Sequence, residues 1–176
     1  MLKLDAQELR VSDPSREERD KIKRRDVYFV LDNILDTYNT GGIFRLADAL
    51  GVKKVYLCGV TETPPNTRIK KASINTTQWV EWEYKDSAAE AILTLKSQVP
   101  RLKAIAVEQD KKSLPYTRID YRLPVAFVVG NETEGCSRLT LKACDAIVEI
   151  PMWGVNKSLN VIMSLGIVAY WAVGQV

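Results

Sequence analysis

Short apolar runs alternate with segments of helical periodicity from residue 27 to the end of the chain. The apolar runs are rich in β-branched and aromatic residues, which favours strands; they are VYFVL, KKVYLCGV, WVEWEY, KAIAV, VAFVVG and AIVEIP. The helical patterns between and after them are GIFRLADALG, DSAAEAILTLKSQ and the apolar C-terminal stretch. This alternation predicts an α/β domain over residues 27–176, with a mostly parallel central sheet and helices on both faces.

The C-terminal stretch carries no charged residue from residue 158 to residue 176. That length is enough to consider a membrane span. However, Asn160, Ser164 and Gln175 interrupt the stretch, and Lys157 alone is a poor orientation signal. We therefore predict a helix buried in a core or a subunit interface, and no membrane association.

Residues 1–26 form a charged N-terminal extension. The opening MLKLDAQELR has charges where a signal peptide needs an apolar core, so no export is predicted. The segment REERDKIKRRD is interpreted as a solvated helix. The alternative is that its cations contact RNA phosphates; these cations are Lys21, Lys23, Arg24 and Arg25.

The composition of the chain excludes several kinds of chemistry but does not select one. With 176 residues, 46% of them hydrophobic, the chain has material for one domain with a real core. A formal net charge of +3 permits polyanion binding without requiring it. The chain has 3 cysteines, an odd count without CxxC spacing, which indicates reduced thiols in a cytoplasmic protein. It has 0 histidines, which excludes histidine bases, catalytic triads and histidine-ligated metals, and we predict no metal site.

In a parallel sheet, ligands collect at the carboxyl ends of the strands, where three polar clusters occur. The first contains Asn39, Gly41, Gly42 and Arg45, between the first strand and the first helix. The glycines permit a tight turn, and Arg45, one turn inside the helix, is suited to holding a phosphate. An asparagine turn with an exposed Arg45–Asp48 pair explains the same pattern, and this segment alone favours that explanation.

The second cluster is VVGNETEGCS at residues 128–137, where Gly130 ends a strand. Its carboxylates, Glu132 and Glu134, are suited to acid/base work or to holding hydroxyls and amines. Turn chemistry and a helix cap at Ser137 explain much of the same pattern.

The third cluster is IPMWGVNKSLNV at residues 150–161, where a strand leads through a loop into the apolar helix. Ser158 or Asn156 is suited to capping that helix. Asn160 is an amide at the start of an apolar helix, which needs a partner if it is buried, and a ligand is one candidate for that partner.

Taken together, the three clusters resemble the motifs of the SpoU/TrmH branch of the SPOUT methyltransferases, which are RNA 2′-O-ribose methyltransferases. The order and separations agree with that family over residues 27–174, although Ile162 and Met163 stand where the family often has small residues. The residues that carry the resemblance are Asn39, Arg45, Ala47, Ala49 and Gly51 in the first motif, Gly130, Asn131, Glu132, Glu134, Gly135 and Ser137 in the second, and Ile150, Pro151, Met152, Gly154, Ser158, Leu159, Asn160 and Val161 in the third.

The resemblance implies a C-terminal trefoil knot, a homodimer, and S-adenosylmethionine bound in the knot. The cofactor-binding residues that it implies are Val107, Glu108, Gly130, Ile150, Met152 and Leu159. The catalytic residues that it implies are Asn39, Arg45, Glu132, Ser158 and Asn160.

A ribose hydroxyl is weakly acidic, so methylating it requires a base or stabilisation of the developing negative charge. A guanidinium is effectively always protonated in proteins, which argues against Arg45 as the base. Our hypothesis is that Arg45, from the same or the partner subunit, anchors an RNA phosphate and stabilises the nascent alkoxide. Asn39, Ser158 and Asn160 then orient the hydroxyl and the loops, while Glu132 positions its loop or helps to carry the proton away.

The expected substrate is tRNA, which the small number of elements available for RNA recognition favours, with ribosomal RNA as the alternative. No separate RNA-binding domain precedes residue 27, so recognition is expected to use the dimer, the basic N-terminus and the loop TPPNTRIKK. A non-catalytic knotted RNA-binding protein is a second hypothesis. Methylation of a base nitrogen is a third, which the site pattern argues against.

Overall fold

A parallel sheet forms the centre of the protein in the computed structural model, which describes Leu9 and residues 12–175. Within those residues seven strands are ordered β3-β2-β1-β6-β4-β7-β5, and every neighbouring pair is parallel. The predicted sheet is therefore confirmed, and all the carboxyl ends meet at one edge. The strands are β1 (Arg25–Asp32), β2 (Val52–Cys58), β3 (Trp82–Lys85), β4 (Lys103–Val107), β5 (Leu114–Pro115), β6 (Val125–Gly130) and β7 (Ala146–Glu149).

Helices cover both faces of this sheet, as predicted. Phe29 and Leu31 of β1 face one hydrophobic cluster, while Tyr28 and Val30 face another, because successive side chains alternate across a strand. The α-helices that lie wholly within the described residues are α1 (Arg16–Asp20), α2 (Thr37–Leu50), α3 (Thr67–Ser73), α4 (Ala88–Gln98), α5 (Arg138–Ala143) and α6 (Val161–Gly174). Helices α2 and α6 contribute to the first cluster and α4 contributes to the second.

Several predicted boundaries are wrong. Helix α2 begins at Thr37, with Asp36 as its cap, so the two glycines lie inside the helix instead of in a turn. Helix α6 begins at Val161 and is capped by Asn160, not by Ser158 or Asn156. Helix α3 lies in a segment that the sequence analysis treats as a loop. None of the described helices is long and apolar enough to cross a membrane.

The charged N-terminal segment is only partly helical. Helix α1 covers five residues and starts with a capping box between Ser15 and Glu18. The Arg24 guanidinium donates hydrogen bonds to the carbonyl oxygens of Trp79, at 2.9 Å, and Val52, at 3.4 Å, so Arg24 is not a free cation. The argument against a signal peptide rests on residues 1–10, which lie outside the described residues except for Leu9.

The two glycines of α2 allow two other helices to approach closely. A Cβ added at Gly41 would lie 2.6 Å from Cβ of Ala72 and 2.7 Å from the carbonyl oxygen of Ile69, both in α3. A Cβ at Gly42 would lie 2.4 Å from Cδ1 of Ile162 in α6. Helix α2 therefore lies between α3 and α6, with its first turns at the carboxyl edge of the sheet.

The substitution Gly41→Val should destabilise the fold, because the new side chain has to displace backbone atoms of α3. We expect the free energy of unfolding to fall by about 1–3 kcal/mol, measured by urea denaturation. The control is Ala49→Val at an exposed position of the same helix, which introduces the same β-branched side chain. Equal unfolding free energies for the two variants would contradict the packing argument.

Candidate active site

A cavity of about 470 Å³ opens at the carboxyl edge of the sheet, between the ends of β4, β6 and β7 and the loop that leads into α6. The strand-end argument predicted a ligand site at this place. Nine of the eleven predicted site residues line the cavity; they are Val107, Glu108, Gly130, Glu132, Ile150, Met152, Ser158, Leu159 and Asn160.

The Glu132 carboxylate holds the start of α2 against the loop after β6. It accepts hydrogen bonds from the backbone N–H groups of Leu35 at 3.0 Å and Asp36 at 3.1 Å. It also accepts one from Nδ2 of Asn39 at 2.8 Å. A carboxylate in this position satisfies backbone donors just before the helix and interacts favourably with the helix dipole.

The hydrogen bonds to the Glu132 carboxylate outweigh the effect of burial on its pKa. Burial raises the pKa of its carboxyl, whereas the hydrogen bonds from Asn39, Leu35 and Asp36 lower it, and the net result is a pKa below the ordinary value. A carboxylate of lowered pKa is a weak proton acceptor. The geometry therefore favours the positioning role for Glu132 over the proton-carrying role.

Asn39 and Asn160 extend the hydrogen bonds of Glu132 to α6. Asn39 is 5% exposed, and its Oδ1 accepts a hydrogen bond from Nδ2 of Asn160 at 3.0 Å. Oδ1 of Asn160 accepts from the N–H of Ile162 at 2.9 Å, which caps the helix. Asn160 is exposed overall, and protein groups engage both ends of its amide, so the partner that the structure gives it is Asn39.

Ser158 differs from its neighbours in having an uncommitted hydroxyl. Its backbone N–H donates to Oδ1 of Asn156 at 3.2 Å, but no hydrogen bond to its Oγ occurs within the described residues. The side chain is exposed and lines the cavity. Ser158 is therefore free to contact a ligand. The same loop is tied to the end of β4, because Nε2 of Gln109 donates to the carbonyl oxygen of Lys157.

Glu108 and Gly130 shape the opposite wall. The Glu108 carboxylate accepts hydrogen bonds from the N–H groups of Cys136 at 2.9 Å and Gln109 at 2.8 Å. A Cβ at Gly130 would lie 2.2 Å from the backbone nitrogen of Cys136, and Gly135 has a φ of 68°. Only glycine fits this close return of the loop onto its own strand.

Arg45 does not reach this cavity. Its side chain is exposed and, within the described residues, makes no hydrogen bond or ion pair. The suggested pair with Asp48 does not form, because Oδ1 of Asp48 accepts a hydrogen bond from Nε1 of Trp79 at 2.7 Å. Arg45 therefore remains an unengaged cation on the solvent side of α2.

Two polar residues that support the site are absent from the predicted site residues. Asp32, 2% exposed at the end of β1, accepts the N–H of Ser137 at 2.8 Å and so anchors the start of α5. Asn131 donates from Nδ2 to the carbonyl oxygen of Asn33 at 2.9 Å. A polar residue at the carboxyl end of a buried strand is the signal that points to both.

The chemistry available at the cavity is polar and does not involve a thiolate. Burial raises the pKa of the Cys136 thiol well above its ordinary value and that of Cys144 to about 12. Lys157 is the one cationic side chain among the lining residues, beside Glu108, Glu132 and Glu149. Among the described residues, no three His, Cys, Asp or Glu side chains form a group suited to a metal ion.

A parallel sheet with a ligand-sized cavity at its carboxyl edge, built from three separate loops, defines an α/β ligand-binding domain. Within that class the assignment is specific. Residues 26–170 match the model of the SpoU rRNA Methylase family, and the chain belongs to that family.

Individual relatives agree with this assignment. The chain is 31% identical to a tRNA (guanosine(18)-2′-O)-methyltransferase of Aquifex aeolicus, over 87% of this chain and 71% of that protein. It is 32% identical to the 23S rRNA (guanosine-2′-O-)-methyltransferase RlmB of Ralstonia nicotianae, over 89% of this chain and 61% of that protein. It also resembles the SpoU methyltransferase AviRb of Streptomyces viridochromogenes in complex with AdoMet, with a TM-score of 0.79, 25% identity, and coverage of 89% of this chain and 63% of that one.

Replacing Glu132 by glutamine should lower stability in a pH-dependent way. The folded-state pKa of Glu132 is lowered, so its carboxylate stabilises the fold above the unfolded-state value of 4.5, and this contribution is lost as the pH falls through the folded value. We expect Glu132→Gln to be less stable than wild type at pH 7, with the difference narrowing below about pH 4.5. Urea denaturation across this range measures it.

The matched control is Glu134→Gln in the same loop, because no hydrogen bond engages the Glu134 carboxylate within the described residues. A stability difference for Glu132→Gln that stays constant with pH would contradict the role of the charged carboxylate.

Proposed function

We propose that this protein is an S-adenosylmethionine-dependent RNA methyltransferase that methylates a ribose 2′-hydroxyl, with tRNA as the substrate. The observation that carries the proposal is that the second and third family motifs line one cavity, and that hydrogen bonds from Asn39 to Glu132 and from Asn160 to Asn39 join the first motif to them. Enzymes of this family that act on tRNA and on 23S rRNA are both among the relatives, so ribosomal RNA is the alternative substrate.

The cavity suits the proposed cofactor. Its volume of about 470 Å³ falls within the range of small-molecule sites. Apolar side chains such as Ile150 and Leu159 offer a surface for an adenine ring, and the carboxylates of Glu108 and Glu149 suit hydroxyl and amino groups. The cofactor, when bound, supplies an electrophilic methyl group on a sulfonium. The C-terminal trefoil knot that the family resemblance implies is also part of the proposal. Membership of the family supports it.

Residues of this chain then prepare the ribose hydroxyl. The Ser158 hydroxyl has no partner in the described residues and is placed to orient the hydroxyl or a phosphate. Hydrogen bonds hold the surrounding loops in place; they join Asn39 to Glu132 and to Asn160. Arg45 binds a phosphate and stabilises the developing negative charge on oxygen, while the proton of the hydroxyl passes to solvent water. Arg45 does not reach the cavity of its own subunit, so we propose that it acts at the cavity of a partner subunit.

The proposed homodimer explains an apolar surface on α6. One side of the helix is buried through Leu165, Val168, Ala169 and Ala172. The side chains of Met163 (57% exposed), Ile167 (37%) and Tyr170 (54%) lie on the other side, at helical spacing. An exposed apolar stripe of this kind is typical of protein interfaces. A location in the cytoplasm, predicted from the cysteines, fits a substrate of this type.

The function is tested by incubating the protein with methyl-labelled cofactor and size-fractionated total RNA. We expect label in the tRNA fraction, in a nucleotide whose 3′ bond resists alkaline and nuclease cleavage because its 2′-oxygen is blocked. Label found only in ribosomal RNA would mean that ribosomal RNA, and not tRNA, is the substrate. Cofactor binding without any transfer would revive the non-catalytic hypothesis, and label in a base would refute ribose methylation.

The substitution Arg45→Lys should separate chemistry from binding. Lysine keeps the charge but loses the two-pronged contact of a guanidinium, so we expect kcat to fall by about 10²-fold or more. The dissociation constant for the cofactor should not change. Near-wild-type methylation by Arg45→Lys, with unchanged RNA affinity, would refute the proposed role of Arg45.

The substitution Ile167→Lys should prevent dimer formation, because it places a charge on the apolar stripe of α6. We expect a monomer by light scattering and loss of methylation, since Arg45 then has no partner cavity. Leu93→Lys is the control, because Leu93 is 62% exposed on α4, on the other side of the sheet. A dimeric and active Ile167→Lys would show that α6 is not the interface.

A further inference from the structure

The segment between Glu62 and Glu81 contains no acidic residue but carries three cations. They are Arg68, Lys70 and Lys71, and all three lie on the short helix α3. Each is exposed, and none takes part in an ion pair or side-chain hydrogen bond in the described part of the chain. We call these three side chains the α3 ridge.

Several lysines on other elements, unlike those of the α3 ridge, are neutralised by carboxylates. Lys53 pairs with Asp26 at 2.7 Å, and Lys54 pairs with Glu81 at 2.7 Å. Lys96 pairs with Asp145 at 2.8 Å. The carboxylates that neutralise these lysines have no counterpart on α3. The α3 ridge is therefore a locally uncompensated positive surface in a chain whose net charge is only +3.

The packing of α3 places the ridge against α2, the helix whose first turn is tied to the candidate active site. The contact between Gly41 and Ala72 places α3 directly against the second turn of α2. The first turn of α2 lies at the carboxyl edge of the sheet, where Asn39 joins the cavity loops. Arg45, the unengaged cation, follows Gly41 by one helical turn and so lies on the same side of α2 as α3.

The surface of the ridge also has a suitable shape. Lys70 and Lys71, together with Thr67 and Asn75, line a depression of about 330 Å³ along one face of α3. Asn75 is fixed there because its Nδ2 donates to the carbonyl oxygen of Leu9 at 2.8 Å. The ammonium groups of Lys70 and Lys71 beside this depression suit the phosphate oxygens of a polyanion.

We propose that the α3 ridge binds the phosphate backbone of the substrate RNA and guides it past Arg45 to the cavity at which Arg45 acts. This inference rests on the proposed function, since it assigns the surface that holds the RNA. It places backbone recognition on α3 instead of on the N-terminal cations, of which Arg24 is already engaged by two carbonyl oxygens. The contacts are to phosphates, so they provide affinity and register without reading the base sequence.

The test compares two triple variants of equal charge change. The first is Arg68→Ala/Lys70→Ala/Lys71→Ala. The control is Lys53→Ala/Lys103→Ala/Lys142→Ala, which removes exposed lysines at or near the amino edge of the sheet, opposite the cavity. Unfractionated bacterial tRNA is the probe, and its dissociation constant is measured by fluorescence anisotropy over a range of salt concentrations.

We expect the α3 variant to bind tRNA at least about tenfold more weakly. The slope of log K against log salt concentration should be smaller in magnitude by about two to three. Its KM for RNA should rise, whereas kcat at saturating RNA and the dissociation constant for S-adenosylmethionine should match the wild type. The control should stay within about twofold of the wild type in every measurement. Equal salt dependences for the two triple variants would overturn the proposal.

Two further measurements keep the result interpretable. Arg68→Gln/Lys70→Gln/Lys71→Gln removes the same charges with side chains of similar length and helix propensity, and it should reproduce the effect. If either α3 variant becomes monomeric while the control remains dimeric, the ridge contacts a second copy and the proposal is overturned. A wild-type protein that methylates no RNA fraction defeats the proposed function, whereas an active wild type with an unaffected α3 variant defeats this inference alone.

Discussion

The hydrogen bonds from Glu132 to Asn39 and from Asn39 to Asn160 are the contacts on which the site depends. They join residues 93 and 121 positions apart in the chain, and so hold the loop after β6, the first turn of α2 and the cap of α6 in one arrangement. Asn39 is buried, so removal of either partner leaves an amide group without a hydrogen bond away from water, which is costly. The cavity walls keep their positions because each of these three side chains satisfies the next.

The parts of the fold that follow from local patterns were predictable. β1, β4 and β6 are apolar along most of their length because both faces of a central parallel strand are buried, and this composition distinguishes them from loops. Since parallel strands end at one edge, the positions of these strands in the sequence also indicate where the cavity lies. The individual site residues came from the family resemblance, because Glu132 and Ser158 in isolation are explained equally well by turns and caps.

The remaining features depend on contacts that a local pattern does not contain. Gly41 and Gly42 predict a turn by composition, yet they lie inside α2 because neighbouring helices approach too closely for a side chain. Asn160 displaces Ser158 as the helix cap because Asn39, far away in sequence, holds the other end of its amide. Helix α3 was missed because only Ile69 and Ser73 are buried in seven residues, which is too short a stretch to show a clear apolar stripe.

The directions of two side chains on α2 support the proposed dimer. At 3.6 residues per turn, Asn39 and Arg45 point about 120° apart around the helix axis. Asn39 is directed at Glu132 and Asn160, which line the cavity of its own subunit, while Gly41 faces α3 and Gly42 faces α6. The side that carries Arg45 is thereby left to solvent, bordered by the α3 ridge on one flank and by the apolar stripe of α6 on the other. In the proposed dimer, a second subunit seated on α6 brings its Arg45 to the cavity, and RNA that follows the proposed path over α3 meets Arg45 where the two subunits join.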